Sequence, residues 1–194
     1  VEMPVAEALS GITPCVNDII KTQGEFATYT EGLGWYGTLE TMKPGKGYMY
    51  LNNSNTVKTL VYPEPSSRGL RTDNTKVEEL HWNMDVTQYP NNMNMIAVLD
   101  VDGNEMKDNY EIAAFAGNEL RGSTRPIYVE ALDRYMIFLT VSGDETENLT
   151  FKYYDLTTEK EYDIAGNMMF SVNAVVGNMS EPHVFNVSLD AKDD

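Results

Sequence analysis

The sequence predicts a mainly β fold: a small N-terminal β-rich unit with one short helix, followed by an antiparallel, immunoglobulin-like β-sandwich. Three observations carry this. Short runs rich in Val, Ile, Thr, Tyr and Phe recur along the 194 residues, bounded by Gly, Asn, Asp and Pro. Only "PVAEALSG", Pro4 to Gly11, has a helical composition, with Pro at its start and Ser-Gly at its end, long enough for about two turns. Texture changes at "PEPSSRGLRTDNTKVEE", Pro63 to Glu79, which lacks apolar periodicity and reads as a linker. The expected organisation is a β-rich module over 1–65, a linker over 66–80 and a sandwich over 81–194.

In the first unit the expected strands are "DIIKTQ", "EFATYT", "GWYGTLE", "GYMYLN" and "TVKTLVY". In the last of these Val57, Thr59 and Val61 alternate with Lys58, Leu60 and Tyr62. Neither face is wholly polar, so burial on both sides is expected for part of it. From His81 onward come "MNMIAVLDVD", "YEIAAFAGNEL", "IYVEAL", "RYMIFLTV", "NLTFKYYDL", "KEYDI", "MMFSVNAVV" and "HVFNVSL". Turn signals about every 8 to 12 residues fit a sandwich. Leu149, Phe151 and Tyr153 alternate with Thr150, Lys152 and Tyr154, which predicts one buried and one solvated face.

Composition narrows the functions. Hydrophobic residues make up 42% of the chain, enough for a core, and 30 acids against 14 bases leave a formal charge of −16 and a pI near 4.4. Residues 1–65 carry 7 acids and 4 bases, and the rest 23 and 10. Such a balance argues against nucleic acid, whose phosphates require clustered Lys and Arg, and against an anionic membrane surface. No apolar run of about 18 residues is present to insert directly into a membrane. The lone Cys15 offers no intramolecular disulfide. Beginning at Val1 without a basic or hydrophobic leader, the chain is expected to be a mature form or an excised piece.

Few motifs carry chemistry. "MKPGKGYMY", Met42 to Tyr50, resembles a phosphate loop only superficially, because a Walker A motif needs glycine at position 40 and Ser or Thr at 47, where Glu40 and Gly47 stand. Pro44-Gly45 instead suits the centre of a type II turn. In "DVDGNEMKDNYE", Asp100, Asp102, Asn104 and Glu111 match calcium-loop positions 1, 3, 5 and 12, but Glu105 occupies the place that needs glycine. A hairpin about Asp102-Gly103 is the preferred reading, with weak calcium binding as the alternative and no other cofactor expected. His81, His183 and Cys15 form no nucleophilic or zinc-binding pattern, so the chain is not expected to be an enzyme. Acids alone, without placement, leave a glycosidase the least favoured reading. Trp35, Tyr36, Tyr48, Trp82 and Tyr89 remain as aromatics that could stack on a sugar or anchor a protein, though core packing is the plainer role.

Two stretches carry a resemblance. "NDIIKTQGEFATY…GLGWYGTLETMKPGKGYMYLNNSNTVKTLVYP" resembles a module of secreted and cell-surface multidomain proteins of Bacteroidetes, with G-W-x-G-x-L followed by P-G-x-G-Y-x-Y. "NNMNMIAVLDVDGNEMKDNYEIAAFAGNELRGST" is similar to the β-rich unit that follows it there, marked by A-F-x-G-x-E-x-R-G. The resemblance implies an exported, extracellular or surface location, covalent membership of a larger protein and no catalytic residues to carry over. Its partner would be a surface protein or a glycan. Within it Glu119 and Arg121, between Gly117 and Gly122, alternate on one strand face and are expected to form an ion pair with neighbours that fixes a corner of the sandwich, with ligand capture by Arg121 as the alternative. The expected function is adhesion or the spacing of larger surface domains, and the alternative is carbohydrate binding through exposed aromatics.

Overall fold

The computed structural model describes residues 1–63 and 79–188. The chain divides into two compact units, Val1–Glu79 and Leu80–Asp194. Most of the expected linker, 66–78, lies outside the described residues.

The first unit is built from β1 (Met3–Pro4), α1 (Val5–Ala8), β2 (Ile19–Lys21), β3 (Phe26–Thr30), β4 (Gly34–Gly37), β5 (Thr41–Met42) and β6 (Met49–Leu51). The order β4-β3-β2-β6 makes an antiparallel sheet, and β1 pairs with β5. Helix α1 is a single turn rather than the two expected, because after Ala8 the chain tightens through Ser10 N–H to Glu7 O and Ile12 N–H to Leu9 O. One turn cannot persist alone. It is held because Val5, Ala8 and Leu9 are buried with Ile20, Ala27, Leu39 and Met42.

"TVKTLVY" is not a strand. Val57 is 95% exposed, and Val61 and Tyr62 are exposed as well, so the expected two-sided burial fails. The Asn52–Thr56 bend turns the chain away from β6: Asn52 Nδ2–H donates to Thr56 O, and its Oδ1 accepts from Ser54. Lys58 alone points inward, to a buried carboxylate described below.

The second unit contains β7 (Asn91–Val101), β8 (Asn104–Glu105), β9 (Tyr110–Ala116), β10 (Glu119–Thr124), β11 (Ile127–Val129), β12 (Arg134–Gly143), β13 (Asn148–Asp155), β14 (Lys160–Met169), β15 (Val175–Val176) and β16 (His183–Val187). One sheet has the order β10-β9-β13-β14. The other runs β11-β12-β7-β15, with β8 and β16 also paired to β7. Their facing sides share one core: Met93, Met95, Leu99, Ile137, Leu139 and Val141 from one sheet meet Ile112, Leu149, Phe151 and Ile164 from the other. The mainly β sandwich is as expected, and in β13 Leu149, Phe151 and Tyr153 are buried while Thr150 is exposed.

Two departures follow from connectivity. "KEYDI" and the start of "MMFSVNAVV" form one strand, β14, whose register on β13 shifts between Leu149 and Phe151 to accommodate extra residues. The sandwich is also not wholly antiparallel, since β15 and β16 run parallel to β7. They cross over from the opposite sheet and so enter beside β7 in its own direction, which a hairpin cannot do.

Candidate functional site

Three polar constellations, one in the first unit and two in the second, hold the residues of interest. In the first unit Asn17 takes a positive φ of 66° and delivers Asp18, fully buried, to the start of β2. Asp18 Oδ2 accepts Cys15 N–H at 2.8 Å and the Tyr50 hydroxyl at 2.6 Å, Oδ1 accepts Asn53 N–H at 2.7 Å, and the Lys58 ammonium forms an ion pair with Oδ2. Burial pushes the Asp18 carboxyl up, but the donors from Cys15, Lys58, Tyr50 and Asn53 outweigh it and hold the group below the usual carboxylate range. Burial and the Asp18 charge push the Tyr50 phenol up. Apart from the local bond from Cys15, each bond of this group ties distant stretches of chain together. Nothing in "VNDIIK" distinguishes such an aspartate from an ordinary turn residue, because its donors lie up to 40 positions away.

The aromatic candidates beside it are packed. The Trp35 ring lies 5.5 Å from Tyr29 and 6.1 Å from Tyr50 and rests on the core. Tyr36, next on β4, points to the opposite side and is half-buried. The Tyr48 hydroxyl accepts Lys43 N–H at 2.6 Å.

In the second unit the segment around His81 and Trp82 lies as a strap over the outer side of the sheet containing β9 and β13, against Glu111, Phe115 and Tyr154. Glu111 is the anchor. It is fully buried on β9, with Oε2 accepting His81 N–H at 2.7 Å and Oε1 accepting Trp82 N–H at 2.8 Å. The Ser123 hydroxyl donates to Trp82 O at 2.6 Å. The His81 ring stacks on Tyr154 at 3.8 Å, and Trp82 meets Phe115 edge-on at 5.9 Å. Trp82 is thus a packing residue whose amide, rather than its ring, is read by Glu111.

Asp100, Asp102 and Asn104 do not join Glu111. Asp102 and Gly103 have φ of 52° and 79°, the two-residue turn of a tight hairpin between β7 and β8, and glycine takes such a φ without cost. Asp100 Oδ1 accepts Gly103 N–H at 2.7 Å and Asn104 Nδ2–H donates to Asp102 O. Among the described residues no group of three or more His, Cys, Asp or Glu stands close enough to hold a metal ion. Because the Glu111 carboxylate accepts the His81 and Trp82 amides and Asp100 accepts that of Gly103, millimolar calcium is expected to leave the thermal midpoint unchanged against an EDTA control, whereas an ion binding only the folded state raises it.

The third constellation surrounds Arg121. It is the extra residue of a bulge, since Leu120 pairs with Phe115 and Gly122 with Ala114. The bulge turns the guanidinium inward to 7% exposure, with Nη2 2.8 Å from Glu147 and 3.2 Å from Glu119. Tyr89 covers it, ring centroid 4.0 Å from the guanidinium carbon, and donates its hydroxyl to Glu119. Arg121 is thus ion-paired both with Glu119 on its own strand and, at the shorter distance, with Glu147 from a loop that no local pattern connects to it.

No family model matches the chain, and neither a curated protein nor a solved structure matches it. Among the described residues no helix is long and apolar enough to cross a membrane.

Proposed function

We propose that the chain is a non-enzymatic module of an extracellular or cell-surface protein, acting in adhesion or holding larger domains apart under tension. The observation that carries this reading is the pairing of the first and last strands of the sandwich. Strand β16 runs parallel to β7, with His183 to Val187 opposite Ala97 to Val101. Opposite pulls on the N-terminal end of β7 and the C-terminal end of β16 therefore act along the ladder. Its hydrogen bonds must yield together rather than one at a time. The three buried polar groups support the same reading, because each fastens separate stretches of chain.

Single-molecule stretching of the full chain checks this. Pulled from its two termini, the sandwich is expected to yield in one high-force event, lengthening by roughly 3.5 Å for each residue released. Pulled between the N-terminus and a handle at Glu181, which leaves β16 outside the path of force, it should yield at a clearly lower force. Equal forces in the two directions would overturn the proposal.

A further inference from the structure

The first unit carries four bases among residues 1–63, all lysines. Lys21 is buried and Lys58 is taken up by Asp18. The two that reach solvent, Lys43 and Lys46, both line a single cleft of about 360 Å³. Their shared position follows from the turn between them. Lys46 N–H donates to Lys43 O across Pro44 and Gly45, with Gly45 at a φ of 79°, so the turn is type II and both lysines flank its tip. The Tyr48 hydroxyl, accepting Lys43 N–H, fixes the turn against the body of the unit.

The rest of the cleft is apolar. Met42 is buried at its floor, Met3 is half-buried, and Tyr48 and the 56% exposed Tyr62 contribute rings to its wall. Lys43 already faces Glu2 at 3.3 Å, whereas Lys46 is in no ion pair among the described residues, the nearby charge of Glu25 being felt by both lysines at longer range. The volume lies at the lower end of small-molecule sites. An apolar, partly aromatic wall beside a cation suits a ring with one C–H face and one negative group. It suits an extended polyanion poorly, because the protein as a whole carries −16.

We propose that this cleft binds an anionic pyranose unit of a glycan, the charge being a carboxylate or a sulfate, with Lys46 pairing to the charge and Tyr62 stacking on the sugar. This inference is independent of the tension-bearing reading of the sandwich and places recognition in the other unit. It also moves glycan recognition away from Trp35 and Trp82, whose rings are occupied by packing.

Titrations of the full chain, followed by amide chemical shifts, test it with three probes: a galacturonate trimer, a sulfated galactose trimer and a neutral galactose trimer. Binding of at least one charged trimer is expected to perturb residues 42–48 and to weaken with salt, and the preference between the two identifies the anion. Lys46→Gln should weaken binding roughly fivefold, the worth of one exposed charge pair, while Lys160→Gln in the second unit should not. Tyr62→Ala should weaken charged and neutral sugars alike. Both cleft positions are exposed, so folding is preserved, and the amide spectrum checks this directly. Equal binding of the neutral trimer, indifference to Lys46→Gln, or no perturbation by any probe overturns the proposal.

Discussion

Asp18→Ala is expected to unfold the first unit at temperatures where the second remains intact. The substitution strands the Lys58 ammonium without its counter-charge and leaves the amides of Cys15 and Asn53 and the Tyr50 hydroxyl without their acceptor. Breaking a buried ion pair from one side costs about 3–5 kcal/mol, a large part of the stability of a domain. Asp18→Asn retains one acceptor and should fall between. The sign of the pH dependence follows from the direction of the shifts. Asp18 titrates below its ordinary value when folded, so its contribution is complete above about pH 4, the unfolded value, and is lost as pH falls through the folded value. Burial opposes the charge of Lys58, but the bond to Asp18 outweighs it and raises its pKa, so that contribution is complete below about pH 10.4 and is lost as pH rises through the folded value. Thermal melts across pH, read by resolved resonances of each unit, should show an acid limb for the first unit that disappears in Asp18→Ala. An unchanged acid limb there would show that other carboxylates govern it.

Glu111→Ala should release the strap. His81 and Trp82 lose the acceptor for their amides, and the guanidinium of Arg125, 4.0 Å away, loses its nearest buried charge. The expected cost is about 3 kcal/mol, moderated because a freed strap exposes its amides to water. The diagnostic readout is the Trp82 indole N–H resonance, which should move toward its unfolded position while the core residues Ile137 and Leu139 keep theirs. Glu111→Gln keeps one carbonyl acceptor but turns an NH2 toward the other amide, so an intermediate loss is expected. If Glu111→Ala melts with the parent protein and leaves the indole resonance in place, the strap is held by ring packing alone.

These two carboxylates also show where reading a sequence stops. Alternation identified the inward face of β13, whose side chains meet the opposite sheet, but not the cover over its other face, where Tyr154 stacks on His81. The Asp102-Gly103 turn was equally legible, since it depends on two adjacent residues, but not its partner strand: the turn leads into the short β8, while Tyr110–Ala116, expected to complete the hairpin, lies in the opposite sheet. Alternation says nothing about which strand lies beside which, so the parallel entry of β16 next to β7 could not be read from "HVFNVSL". It misleads in "TVKTLVY", where the pattern is satisfied but β6 and the Asn52 bend leave no ladder to extend. Glu111 drew notice as the last position of an imperfect calcium loop, and its carboxylate instead meets the amides of a segment 30 residues earlier. The lysines of "KPGKGY" were legible as turn residues, but the apolar wall facing them includes Met3 and Tyr62, distant in sequence.

The pairing of β7 with β16 also bears on how the second unit is made. Strand β7 is the first of the sandwich to be synthesised and the last to be completed, because the edge from Ala97 to Val101 finds its partner only when His183 to Val187 has emerged. Until then a long, apolar strand presents a row of unpaired peptide groups, the arrangement most prone to pairing with another chain. Closing such a distant contact is slow, since the loop between must be ordered before the ladder rewards it. The strap offers earlier cover for the opposite sheet, as its partners Glu111, Phe115 and Ser123 follow within a few dozen residues. The sandwich is thus arranged to leave its central strand β7 waiting for β16.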